Sequence, residues 1–114
     1  MILSRHATLM VAAAGEAATG LALLATPSFV GRLLLGAEID GAGVPAARVA
    51  GLALIALAIA CWRGSPLQAM LFYSAAATLY LAWLGLAGTF AGIFLWPAVV
   101  FHAVLTVLLA AGGK

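Results

Sequence analysis

The sequence predicts an all-α membrane protein: an antiparallel bundle of four transmembrane helices, with a short amphipathic surface helix between the first and the second. Three observations predict it. Apolar residues make up 67% of the 114-residue chain and charged residues 7%, with a mean hydropathy of +1.24. A soluble domain of this length has too little interior to hide so much apolar surface. The apolar residues also fall into four separate runs, each near the roughly 20 residues needed to cross a bilayer core as a helix. Finally, Pro and Gly punctuate the gaps between the runs. Backbone groups in lipid must bond within their own segment, and the weak period-2 alternation argues against a barrel, so each run is read as a helix. Residues 1–114 then form a single integral membrane domain.

The first span covers 7–25 and is closed by Thr26-Pro27. Arg5 followed by Ala12-Ala13-Ala14 has the look of a secretory leader, but the apolar run continues past Glu16 to Ala25, so the segment is read as a retained membrane helix. Pro27 to Leu35 carries Phe29, Val30, Leu33, Leu34 and Leu35 around Arg32, a pattern for a short helix lying on the membrane surface and ended by Gly36. Residues 37–44 hold Glu38, Asp40, Gly41 and Gly43 and read as a solvated polar loop. The second span, 46–62, is opened by Pro45 in the first turn. The third, 67–87, follows Gly64-Ser65-Pro66. The fourth, 93–111, contains Pro97. Either that proline lies within the first turn, or it marks the true start with Ala91 to Trp96 as an interfacial turn.

Orientation follows from the basic residues. Arg5, Arg63, Lys114 and the terminal amine fall on one side of a four-span topology, Arg32 and Arg48 on the other. That bias places both termini in the cytoplasm. Trp62 and Trp96 near span ends suit interfacial belts.

The chemistry is concentrated in a few polar residues inside the spans. By the helical rise, Glu16 lies about 13 Å into the first span and His102 about 13 Å into the fourth, counted from the same side. Small or polar neighbours share their faces: Ala12, Thr19 and Gly20 beside Glu16, Ala98 and Thr106 beside His102. A direct or water-bridged contact between the two would relieve both of their desolvation penalties. Arg48 is the other candidate partner of Glu16, although snorkelling outward is the simpler fate of its side chain. On the third span Ser74 and Thr78 continue the small and polar line, with Tyr73 and Tyr80 seven residues apart and Trp83 nearby. These nine residues are the candidate buried polar or binding positions. None is expected to hold a metal, because no second soft ligand accompanies His102, and a lone histidine is a poor basis for haem in a membrane bundle. Cys61, the single cysteine, reads as a small packing hydrophobe. Five Lys/Arg, dispersed along the chain, are too few for a nucleic-acid surface. No nucleophile–base set or phosphate loop is legible, so neither catalysis nor a cofactor is expected.

The first-helix stretch Gly15-Glu16-Ala17-Ala18-Thr19-Gly20, the exit Pro27-Ser28-Phe29-Val30 and the opening Arg48-Val49-Ala50-Gly51 resemble the DoxX-like group of small bacterial membrane proteins, as does the spacing of four helices over nearly the whole chain. That resemblance implies a four-helix fold in a bacterial inner membrane. Some DoxX members are linked to oxidoreductase or stress-response complexes, so it implies a fold more than an activity. The chain also resembles the small multidrug resistance family in length, helix count and a glutamate in the first helix. It departs from that family at Leu71-Phe72-Tyr73-Ser74-Ala75-Ala76, which lacks the Tyr/Trp/Gly arrangement, and in its long Thr26 to Pro45 connection.

Two functions are therefore carried forward. The first is a non-enzymatic accessory subunit or structural module, whose partners are the lipid bilayer and either copies of itself or another membrane subunit. The second is a proton-coupled small transporter or binder of lipophilic small molecules centred on Glu16, with His102, Tyr73, Tyr80 and Trp83 lining its cavity.

Overall fold

The computed structural model of the protein describes residues 4–112. Lys114 and the terminal amine, used above for orientation, lie outside the described residues. Five helices follow in order: α1 (Arg5–Ala25), α2 (Pro27–Leu35), α3 (Gly43–Arg63), α4 (Pro66–Ala87) and α5 (Leu95–Ala111). No strand occurs among the described residues. Helices α1, α3 and α4 are long and apolar enough to cross a membrane, and α5 is a shorter apolar helix of 17 residues. The chain divides into two compact units, Met1–Pro66 and Leu67–Lys114.

The first unit is built from α1, α2 and α3. Ser4 starts α1: its hydroxyl accepts the Ala7 N–H at 3.0 Å, and its carbonyl accepts the Thr8 hydroxyl at 2.9 Å. This satisfies one of the free donors at the helix start. The end of α1 is closed by Thr26, whose N–H and hydroxyl both donate to the Ala22 carbonyl. Pro27, which cannot donate, then occupies the first position of α2, where no intrahelical partner is needed. Gly36 stops α2 in the left-handed region at φ 80°, as the sequence predicts.

The segment after Gly36 differs from the expected solvated loop. Glu38 and Asp40 are exposed, but the backbone folds back onto α2. The Ser28 hydroxyl donates to the Ile39 carbonyl at 2.7 Å. A Cβ at Gly31 would stand 2.6 Å from the Ala37 carbonyl oxygen and 2.7 Å from the Ile39 side chain. A glycine in α2 and an isoleucine among polar residues therefore make a clasp. Period and charge could not reveal it, because it joins residues of unlike chemistry across a turn.

Helices α1 and α3 run antiparallel and touch backbone to backbone. A Cβ on Gly20 would lie 2.7 Å from the Gly51 carbonyl oxygen, and one on Gly51 would lie 2.6 Å from that of Gly20. Such an approach requires the absence of a side chain on both helices. The residues flanking the crossing are small or aliphatic: Ala13 on α1, and Leu52, Ala56 and Ala58 on α3, are buried.

The second unit is an antiparallel pair of helices. Tyr73 of α4 meets His102 of α5, and Gly85 of α4 lies against Leu95 and Trp96 of α5. Ala69, Ser74, Ala77 and Leu84 on α4 and Val99 on α5 are buried. Gly88, at φ 82°, ends α4. The fourth helix begins at Leu95, two residues later than the expected span, so Pro97 lies in its first turn and residues 91–94 belong to the preceding connection. Helices α1 and α3 each begin two or three residues earlier than the hydropathy runs. The Ser4 cap extends α1 and backbone bonds from Gly43, Val44 and Ala46 extend α3, neither of which an apolar run registers.

Candidate functional site

Glu16 lies at the middle of α1, half-buried. It is three residues from Ala13 and four from Gly20, the two buried positions of α1, so helical geometry sets it on the flank of the α1–α3 seam. From Ala12 to Gly20 it is the only side chain larger than threonine. Within the first unit its carboxylate has no hydrogen-bond or ion-pair partner. His102, its expected direct or water-bridged partner, belongs to the second unit. The neighbouring Thr19 hydroxyl is occupied by the Gly15 carbonyl at 2.8 Å. On the other side of α1, Ala14, Gly15 and Ala18 are exposed, and a Cβ at Gly15 would meet nothing within 4 Å.

Arg48 neither reaches Glu16 nor extends freely outward. Its Nε donates to the Leu24 carbonyl at 3.1 Å. That carbonyl belongs to the last turn of α1, where acceptors lack helical partners and the helix dipole favours a cation. A sequence-adjacent signal for this bond does not exist: the two residues are 24 positions apart. At the same end, Arg32 lies 5.7 Å from the centre of the Phe29 ring and pairs with Glu38 at 3.6 Å, with both side chains largely exposed. An ion pair so exposed contributes little.

In the second unit the polar side chains mostly turn onto their own helices. The Thr78 hydroxyl donates to the Ser74 carbonyl and the Thr106 hydroxyl to the His102 carbonyl, each at 2.7 Å. His102 Nδ1 stands 2.9 Å from the Ala98 carbonyl. A carbonyl only accepts, so Nδ1 carries the proton, and in the neutral ring Nε2 keeps its lone pair. The ring is held edge-on between Tyr73, at 5.8 Å, and Phe101, at 5.4 Å. Ser74 is fully buried and its hydroxyl has no hydrogen-bond partner. Tyr80 and Trp83 stack on each other at 6.0 Å and 23°, and Trp83 is 58% exposed.

A groove of about 300 Å³ runs between α4 and α5, lined by Ala75, Thr78, Leu79, Ala103, Thr106 and Val107. Both of its hydroxyls donate to helix carbonyls, so its wall presents no free hydrogen-bond donor to an occupant. A second shallow groove, of about 250 Å³, lies along α5 at Ala103, Val104, Val107 and Leu108 and is apolar as well. Among the described residues no three of His, Cys, Asp and Glu come close enough to hold a metal ion.

Sequence reasoning found Glu16, His102, Ser74, Thr78 and Thr106 from their polarity in apolar helices. It missed Leu24, Ser28 and Ile39, whose parts are played by backbone carbonyls or through a turn. No protein-family model matches the chain, and no curated protein and no solved structure matches it.

Proposed function

We propose that the protein is a four-span integral membrane protein, with α1, α3, α4 and α5 crossing the bilayer and α2 lying in its interface, and that it serves as a non-enzymatic accessory subunit or structural module. In this reading it resides in a bacterial inner membrane with both termini cytoplasmic, and its fold is DoxX-like. One observation carries the proposal: Glu16, in the middle of a spanning-length helix, has no partner within its own unit. A charged group at the centre of a membrane helix costs roughly 2.5–3.5 kcal/mol on insertion scales. A donor from another subunit, or from a second copy, removes that penalty and gives the contact its register.

The test is purification in mild detergent followed by mass determination of the intact complex. The native chain is expected to hold a membrane partner or a second copy. Glu16→Leu is expected to lose it while remaining membrane-bound and helical. A chain that is always alone overturns the reading.

The same unpartnered carboxyl favours a second reading, a proton-coupled transporter or binder of lipophilic cations. A carboxyl without a fixed partner can exchange a proton for a cation. Uptake of such a cation into proteoliposomes under a pH gradient separates the two. Glu16→Gln keeps the shape and removes titration, so it abolishes uptake under the second reading. Under the first, no uptake occurs in either form.

A further inference from the structure

Between Gly64 and Gly113 the sequence contains no Asp, Glu, Lys or Arg. The turn between α4 and α5, residues 88–94, lies in the middle of this stretch. An extramembrane loop of a membrane protein ordinarily carries polar or charged side chains that water solvates. This turn carries Thr89 as its one polar side chain, together with Phe90, Ile93 and Phe94. Ile93 is 86% exposed and Phe94 76% exposed, and Leu86, at the end of α4, is 80% exposed. Trp96 follows in the first turn of α5, also exposed. The segment therefore presents a continuous apolar surface with no charge anywhere on it.

The length of α5 points the same way. Its 17 residues span about 26 Å at the helical rise, short of the roughly 30 Å of a hydrocarbon core. Beyond Ala111 the chain continues as Gly-Gly-Lys, which has no apolar side chain to add. At the other end, counting Phe90 to Ala111 makes an apolar stretch of ordinary spanning length. Immersing the turn itself supplies the missing length.

We propose that the α4–α5 turn is seated in the bilayer, with Phe90, Ile93 and Phe94 at the boundary between headgroups and acyl chains and Trp96 in the aromatic belt. The partner is the lipid surface. The turn's Thr26–Pro45 counterpart in the first unit, which holds Arg32, Glu38 and Asp40, stays in contact with water. Aromatic and aliphatic side chains of such segments bury about 5–10 Å into the headgroup/acyl boundary, and indole rings concentrate at that level. The proposal rests on the membrane reading given above, and it adds which connection is wet and which is lipid-immersed.

Spin labels placed in liposomes test it. In a Cys61→Ala background, single cysteines at Phe90, Ile93, Glu38 and Leu79 are labelled with a nitroxide. Collision with oxygen, which concentrates in lipid, is compared with collision with a water-soluble nickel chelate. Phe90, Ile93, Glu38 and Leu79 are exposed, so none of the substitutions removes a buried contact. The expected result is oxygen-dominated relaxation at Phe90→Cys, Ile93→Cys and Leu79→Cys, and nickel-dominated relaxation at Glu38→Cys. Nickel dominance at positions 90 and 93, with oxygen dominance at 79, overturns the immersed turn and leaves the membrane reading standing. Low collision with both reagents at 90 and 93 means that protein covers the turn, and also overturns it. Nickel dominance at position 79 as well would show that α4 is not in lipid at all, which is failure of the membrane reading itself.

Discussion

The two helix pairs of this protein handle polarity in opposite ways. The first unit, built on the α1–α3 pair, holds all three acids and every arginine, and its structure depends on particular long-range contacts. Backbone meets backbone at Gly20 and Gly51, a guanidinium caps a helix 24 residues away, and a hydroxyl clasps the loop to α2. The α4–α5 pair has no acid or arginine, and its threonines and histidine bond to carbonyls one turn back on their own helices. Both solutions pair polar groups that an apolar environment would otherwise leave unsatisfied. The first ties helices to each other and fixes one geometry. The second removes polarity locally and leaves outer faces that only lipid or another apolar surface can cover. The difference explains why the unpartnered Glu16 stands out: it lies in the pair where polar groups otherwise find distant partners.

Three substitutions, the first paired with Gly15→Ala as its control, test that contrast, beginning with the largest expected effect. Gly51→Val places carbon against the Gly20 carbonyl oxygen, a backbone atom that can retreat only if the helices separate. It is expected to destabilise the protein by about 3 kcal/mol, the upper part of the usual overpacking range. Gly15→Ala, whose added methyl meets nothing, is expected to be neutral or to stabilise by up to about 1 kcal/mol through helix propensity. Unfolding midpoints in mixed detergent–SDS titrations compare the two, and equal losses would refute a specific Gly20–Gly51 crossing.

Arg48→Met keeps the aliphatic stem and removes the bond to Leu24. A loss of about 1.5 kcal/mol is expected, as for a charge-assisted hydrogen bond at a helix C-terminus. The same titration measures it, and amide exchange near Leu24 localises it. An unchanged midpoint would mean that the first pair is held by its glycine crossing alone.

Ser74→Ala is the smallest change and has the opposite sign. The Ser74 hydroxyl is buried without a partner, and an unsatisfied buried hydroxyl opposes folding. Its removal is expected to raise stability by about 1 kcal/mol. A loss of stability instead would show that the hydroxyl is bonded in the membrane, and the second pair would then also rely on a long-range polar contact.

Much of the architecture was legible in the sequence because the information is local. Hydropathy runs located α1, α3, α4 and α5 to within three residues, and Pro27 and Gly36 delimited α2. Those features act through the nearest turn of backbone: a missing N–H at Pro27, a left-handed φ at Gly36, an apolar length set by lipid. The candidate positions Glu16, His102, Ser74, Thr78 and Thr106 were legible for the same reason, since each is a polar group in an apolar helix.

Partnership was settled only by the tertiary structure. Arg48 was ambiguous in sequence because an arginine near a helix end can extend outward or turn inward. The position of the Leu24 carbonyl, set by the Gly20–Gly51 approach, decides between them. Ser28 and Ile39 carried no visible signal, since one acts through a hydroxyl on a backbone carbonyl and the other as an isolated aliphatic among polar residues. The sequence by itself determined helices, breakers and the apolar environment, because each follows from bonds and solvation within a few residues. The tertiary structure decided which glycines touch, which carbonyl is capped and which polar groups stay unpaired, because those depend on how close two distant backbones can come.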